Sequence, residues 1–101
     1  MRQIINHKMY DTETAKYVGE YNNGLGRGDF RHEKEELYLK KTGEFFLAGE
    51  GGPLTKYAED TGFGMDSGYG IIPLDEDEAR DWVEQHMSPS SYIKLFGMPE
   101  E

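Results

Sequence analysis

Cysteine is absent from this 101-residue chain, and its absence excludes disulfide bonds, thiolate nucleophiles and cysteine-based zinc sites. Long apolar runs are missing as well, because the run at residues 45–48 is among the longest. A membrane-spanning helix needs about 20 consecutive apolar residues, so we expect neither a membrane span nor a signal peptide. A chain without cysteine fits a reducing compartment, and we expect this protein to act in the cytoplasm.

Recognisable catalytic and cofactor motifs are also missing. His7, His32 and His86 lack the mutual spacing of metal ligands. The glycine-rich stretches lack the Gly-Lys-Ser/Thr ending of a phosphate-binding loop and lie among acidic residues. The sequence therefore predicts no catalytic residues, no metal site and no cofactor, and hence a protein that is not an enzyme.

Basic residues are scarce in the second part of the chain. Residues 1–58 carry nine acidic and nine basic side chains, whereas residues 59–101 carry eleven acidic side chains and only two basic ones, Arg80 and Lys94. The second part therefore holds the whole net charge of −9. Because a surface of one sign attracts opposite charge and repels like charge, we expect a basic protein partner and no direct binding of nucleic acid.

The densest acidic stretch, residues 75–84, has two interpretations between which the sequence does not decide. Asp75 and Glu78 have the spacing of a capping box, and carboxylates in the first turn of a helix stabilise its positive end. Asp81 and Glu84 lie beyond that turn and extend the negative charge along the helix. The functional reading is a row of carboxylates that meets a basic surface as a nucleic acid would, formed by Asp77, Glu78, Asp81 and Glu84.

Apolar contacts are needed beside this charge, because each exposed ion pair contributes only about 0–1 kcal/mol. The glycine-rich segment at residues 61–70, which we expect to be a loop, carries Phe63, Met65 and Tyr69. We predict these three side chains to be the apolar anchors of the partner-binding surface.

The fold is predicted to be a single domain over residues 1–101. Apolar residues make up 36% of the chain and aromatic residues 13%, so a few large side chains can build the core. The clearest signal is a β-hairpin at about residues 37–48, where aromatic and aliphatic residues flank Thr42-Gly43. Shorter strands are expected at residues 3–6, 8–10 and 70–74, the last at a sheet edge because it contains Pro73.

Three helices are predicted from apolar spacing and capping residues. The first follows the start signals at residues 11–14 and carries Ala15, Val18 and either Tyr21 or Tyr17 at helical spacing. The second begins at Asp75 and has an apolar stripe of Ala79, Trp82, Val83 and either His86 or Met87. The third begins at Ser88, ends at Gly97 and is expected to bury Tyr92, Ile93, Leu95 and Phe96.

Residues 54–60 are expected to form one helical turn or an irregular segment. The resulting order is ββα–ββ–β–αα, an α+β fold with helices on one face of a small antiparallel sheet.

A resemblance extends over most of the chain. Its main part is residues 37–52, which read Leu-Tyr-Leu-Lys-Lys-Thr-Gly-Glu-Phe-Phe-Leu-Ala-Gly-Glu-Gly-Gly, followed by Tyr57-Ala58. Residues 10–15, residues 72–74 and Glu78-Ala79 with Trp82 extend the pattern on either side. The chain resembles a group of small acidic proteins encoded on bacterial phages and other mobile elements. The resemblance supplies no catalytic residue, but it implies a setting in which small acidic proteins often inhibit host defence, as anti-CRISPR and DNA-mimic proteins do.

The leading hypothesis is therefore a non-enzymatic binding protein that inhibits or modulates a host nucleic-acid-handling protein, such as a nuclease or a CRISPR effector. The alternative is a structural or regulatory interaction module without mimicry, homodimeric through exposed sheet edges or the aromatic C-terminus. Salt separates the two, because screening weakens charge pairing and leaves aromatic self-association intact.

The first prediction is that the protein does not bind duplex DNA or RNA. Duplex binding draws its free energy from the counterions released when Lys and Arg neutralise phosphates, and the net charge of −9 opposes that contact. A mobility-shift assay in low salt checks this, and a shifted band at micromolar protein would contradict the charge argument.

Overall fold

The fold is α+β, as predicted, with two helices on one face of an antiparallel sheet. The computed structural model describes all 101 residues. In chain order the elements are β1 (Arg2–Ile5), β2 (Lys8–Asp11), β3 (Lys16–Asn22), β4 (Glu33–Leu39), β5 (Phe45–Gly51), β6 (Glu59–Asp60), β7 (Met65–Asp66), β8 (Gly68–Leu74), α1 (Glu76–His86) and α2 (Pro89–Phe96). The central sheet has the strand order β3-β4-β5-β8, and β1-β2 and β6-β7 are separate hairpins.

The prediction of a helix at residues 15–21 is wrong, because this segment is strand β3. The register shifts between Tyr17 and Gly19, which marks a β-bulge. The bulge lets both Val18 and Tyr21 pack against the core under the helices. Their three-residue spacing imitates a helical period for this reason. Asp11 accepts a hydrogen bond from the Glu13 backbone N–H at 2.9 Å, and this turn leads from β2 into β3 rather than into a helix.

The predicted hairpin at residues 37–48 is confirmed and is longer than expected, since β4 and β5 pair from Glu33 opposite Gly51 to Leu39 opposite Phe45. The segment at residues 61–70, expected to be a loop, instead contains β7 and the start of β8, while β6 lies at residues 59–60. Strand β8 is at the edge of the sheet, as Pro73 indicated.

Both C-terminal helices begin as predicted. Asp75 and Glu78 form a complete capping box at the start of α1, and Ser88 caps α2 with Pro89 at its first position. The core on this face joins Ala79, Trp82 and Val83 of α1 to residues of β4 and β5, namely Leu37, Phe45 and Leu47.

The predicted burial of one face of α2 is only partial, because no residue of α2 is fully buried. Tyr92, Leu95 and Phe96 are half-buried against the core, whereas Ile93 remains exposed. Helix α2 has only eight residues and lies at the rim of a small sheet, so its inner side packs on the core while its outer side faces solvent.

Part of the opposite face of the sheet is covered by the β1-β2 hairpin. Tyr10 of this hairpin packs edge-on against Phe46, with ring centroids 5.5 Å apart. Gln3 accepts a hydrogen bond from the backbone N–H of Ile71 at 2.9 Å, so the hairpin also blocks part of the β8 edge. Lys8 and Lys40 donate to Glu44, and these hydrogen bonds lower the pKa of Glu44 to about 2.

A buried carboxylate joins three parts of the chain on the helical side. Glu35 of β4 is only 2% exposed. It accepts hydrogen bonds from the Tyr57 hydroxyl at 2.6 Å and from the Trp82 indole N–H at 3.1 Å. The Lys56 ammonium lies 2.8 Å away. The absence of a side chain at Gly49 leaves room for the Tyr57 ring beside Glu35, because any side chain at that position would overlap the ring.

Glu35 is held in its ionised form by these donors. Burial alone raises the pKa of its carboxyl, but the hydrogen bonds from Lys56, Tyr57 and Trp82 outweigh burial and hold the pKa below its ordinary value. Burial and the neighbouring carboxylate raise the pKa of Tyr57 in turn, so its hydroxyl remains a donor.

The second prediction is that Glu35→Gln lowers the free energy of unfolding by about 2–4 kcal/mol, because an amide cannot accept from all three donors. The folded-state pKa of Glu35 lies below the ordinary value of 4.5. Its contribution is therefore complete above that pH and is lost as pH falls through the folded-state pKa. Urea unfolding at neutral pH and in acid measures both effects.

Glu36→Gln is the matched control, because Glu36 is the next residue of β4 and faces the other side of the sheet. We expect it to change stability by less than about 1 kcal/mol. Equal losses in the two variants would contradict the assigned role of Glu35.

Candidate interaction surface

The predicted acidic residues lie on the solvent side of α1, and all four are exposed. At 100° per residue, Asp77, Asp81 and Glu84 fall within about 60° of one another and extend for about 10 Å along the helix axis. Trp82 and Val83 occupy the opposite side and are buried in the core. The helix is thus an ordered support for three carboxylates that point away from the protein.

Glu78 has a different position from the other three. It lies about 100° around the helix from Asp77, and its carboxylate accepts a hydrogen bond from the Asp75 backbone N–H at 3.0 Å. The hypothesis of helix capping therefore explains the acidic residue at Glu78. It does not account for Asp81 and Glu84, which lie beyond the first turn.

Ion pairs are unequally distributed between the two parts of the chain. Of the seven ion pairs, only Arg80 with Glu76 lies within residues 59–101, and the other six lie within residues 2–56. None includes Asp77, Asp81 or Glu84. Five of the nine carboxylates in the first part thus have an internal cation, whereas those on the outer face of α1 have none.

Phe63 is at the tip of the β6-β7 hairpin and is fully exposed. Gly62 and Gly64, on either side, have φ angles of +85° and +140°, which a tight turn requires here and other residues rarely adopt. Thr61 donates from its backbone N–H and its hydroxyl to the Gly64 carbonyl, at 3.0 and 3.1 Å. The turn is thus closed by hydrogen bonds and presents Phe63 on a defined tip.

Met65 lies with Phe63 on the hairpin, in strand β7, and is 54% exposed. Tyr69 is 77% exposed but belongs to β8 of the central sheet, where it lies opposite Glu50. It shares the strand face of Ile71, which packs with Tyr10 and Phe46 on the side of the sheet away from the helices.

Carboxylates of the hairpin, at Glu59, Asp60 and Asp66, form no ion pairs. Phe63 and Met65 therefore lie among acidic side chains without ion pairs, whereas Tyr69 lies opposite the ion-paired Glu50, and the structure does not bring it together with the other two anchors.

The acidic helix face and the hairpin are two separate parts of the surface. The hairpin precedes the first residue of β8, and α1 follows the last one. Helix α1 then runs back along the sheet toward the start of β8. Its Trp82 donates a hydrogen bond to Glu35 of β4. Glu35 lies opposite Gly49 of β5, and Gly49 lies opposite Gly70 near the start of β8. A partner that contacts both parts must extend along the helical side of the sheet.

The titratable clusters elsewhere are structural. No group of three or more His, Asp or Glu side chains is arranged to hold a metal ion. Glu35 is enclosed by its donors. His86 is half-buried, stacks on Tyr21 with centroids 3.9 Å apart and meets Trp82 edge-on, and burial lowers its pKa.

Sequence reasoning missed two features of this side of the molecule. The first is the buried Glu35 cluster, which connects residues 22 and 47 positions apart in the chain. The second is an apolar groove between the end of α1, α2 and Pro99. The only local signal for the Glu35 cluster was an acidic residue among the alternating residues of β4. No local pattern marks the groove.

No helix is both long enough and apolar enough to cross a membrane. Comparison with protein families, with curated proteins and with solved structures finds no match to this chain.

Proposed function

We propose that this protein is a non-enzymatic inhibitor or modulator that binds the basic surface of a nucleic-acid-handling protein in the cytoplasm. The partner is a nuclease or CRISPR effector of a host that carries phages or mobile elements. The acidic face of α1 takes the place of the phosphate backbone on that surface, and the β6-β7 hairpin supplies apolar contact.

The observation that carries the proposal is the unpaired state of Asp77, Asp81 and Glu84. A carboxylate held by an internal lysine would have to exchange that contact for a new one on binding. These three have no such contact to lose. They also lie on a helix whose start is fixed by a capping box and whose inner face is buried, so their spacing is maintained before binding.

Charge alone is not enough for a tight complex. Exposed ion pairs contribute about 0–1 kcal/mol each, and their main effects are on association rate and partner choice. Phe63 adds an aromatic side chain whose burial on a partner is worth about 1.5–3 kcal/mol. The proposed surface therefore combines electrostatic attraction from α1 with an apolar anchor on the hairpin.

The third prediction concerns the combined variant Asp77→Lys, Asp81→Lys and Glu84→Lys. It should keep the fold, since these side chains are exposed, and should lose the ability to displace fluorescent nucleic acid from purified nucleases and CRISPR effectors. The wild-type protein should displace it from at least one member of such a panel. Displacement should weaken between about 50 and 300 mM salt, as the screening length falls.

Glu13→Lys, Glu20→Lys and Glu36→Lys together give a control of identical net charge. These residues lie in the charge-balanced part of the chain, and Glu20 and Glu36 are opposite each other on β3 and β4, on the sheet face away from the helices. The only ion pair that the control removes is the one between Glu20 and Lys34, whose charged atoms are 3.9 Å apart. The control should compete as the wild type does. If the two variants compete equally, the acidic face of α1 only caps the helix and raises solubility.

The fourth prediction is that Phe63→Ser leaves the thermal unfolding midpoint unchanged within about 2 °C, because the side chain is fully exposed. The same substitution should weaken the complex by about tenfold or more, through loss of an apolar anchor. Differential scanning calorimetry and the displacement assay measure the two effects. A large drop in stability would place Phe63 in the packing of the protein, and unchanged displacement would remove it from the interface.

A further inference from the structure

An apolar groove lies beside the acidic face, where α1 ends and α2 begins. Its volume is about 340 Å³, and Met87, Tyr92, Ile93 and Pro99 supply most of its apolar lining. Ile93 is 39% exposed, whereas Met87 is half-buried and its sulfur and methyl group lie against Gly19 of β3. On the sheet side, the groove is therefore closed by Met87, which packs on β3. On the α2 side, it is lined by an accessible apolar side chain, that of Ile93.

The rim of this groove is acidic. Glu84 belongs both to the groove lining and to the carboxylate face of α1. Glu100 and Glu101 directly follow Pro99. The nearby Arg80 is already engaged, because it pairs with Glu76 at 3.5 Å and donates to the Tyr92 hydroxyl at 3.3 Å.

The basic residue of α2 does not neutralise this rim. Lys94 is the residue after Ile93 and therefore projects about 100° away from it around the helix. It is also exposed and forms no ion pair. An apolar slot bordered by carboxylates complements a basic segment that carries an apolar side chain.

We infer that the groove binds a single aliphatic side chain from a basic segment of the partner protein, whose neighbouring Lys or Arg residues pair with Glu84 and Asp81. The two carboxylates are about 4.5 Å apart along the helix axis, within reach of basic residues on either side of one anchor. This inference rests on the proposed function, and it adds a second apolar anchor at the other part of the surface.

The experiment uses fluorescein-labelled synthetic peptides and fluorescence anisotropy with the full chain. The first peptide is lysine-rich with one central leucine. The second has alanine in place of the leucine, and the third has glutamine in place of every lysine. We expect the leucine peptide to bind about tenfold more tightly than the alanine peptide, and the glutamine peptide to bind weakest.

Ile93→Gln tests the groove directly. It should remove the preference for leucine over alanine while leaving the affinity for the alanine peptide unchanged. Leu54→Gln is the control, because Leu54 is an exposed leucine on another part of the chain and its substitution should leave the preference intact. Circular dichroism verifies that both variants are folded.

The outcomes separate this inference from the proposed function. If lysine peptides bind through the acidic face but leucine gives no advantage, the groove inference fails and the proposed function stands. If leucine is preferred but the triple lysine variant of α1 binds as well as the wild type, the pairing with Glu84 and Asp81 is wrong and the proposed function fails with it, while the assignment of the groove to an aliphatic side chain stands. A wild-type dimer that Ile93→Gln dissociates in analytical ultracentrifugation would show a second copy of the chain in the groove and would overturn the inference.

Discussion

The position of α1 depends on one buried carboxylate, that of Glu35. A charge in the interior is costly unless donors surround it, and here Trp82 of α1 and Tyr57 of the preceding segment supply hydrogen bonds while Lys56 supplies the countercharge. Hydrophobic burial holds α1 on the sheet, but it has little directional preference. The buried stripe of Ala79, Trp82 and Val83 turns one side of the helix toward the sheet, and the indole hydrogen bond adds a directional contact on that side. Because Trp82 must face Glu35, the carboxylates of Asp77, Asp81 and Glu84 face solvent.

The chain divides its charged residues between two tasks. Ion pairs in the first part connect neighbouring strands and the β1-β2 hairpin, as Glu44 does through Lys8 and Lys40. Most carboxylates in the second part lie on α1 and on the β6-β7 hairpin, where only Glu76 forms an ion pair. Mutual repulsion among such groups opposes folding. The protein tolerates this cost on two elements whose backbones are fixed by a capping box and by a closed turn.

Local chemistry was sufficient to predict the elements whose signals are themselves local. The cap at Asp75, the cap at Ser88 and the turn near Gly43 each involve residues within four positions of one another, and the structure has all three. Strand β3 could not be predicted in this way, because its helix-like spacing arises from a bulge that depends on pairing with β4. The exposure of Phe63 follows from the short β6-β7 pairing. The groove at Ile93 requires the angle between two helices, which no sequence period encodes.

A basic partner is expected to bind the acidic face of α1 together with the β6-β7 hairpin. The most direct measurement is a titration of the 15N-labelled protein with the nuclease or effector from which it displaces nucleic acid, followed through amide resonances. We expect perturbations at residues 77–84 and 59–66, with the β1-β2 hairpin and the far face of β4 unaffected. Perturbations confined to that hairpin and that face, with α1 unchanged, would contradict the claim that the acidic helix forms the binding surface.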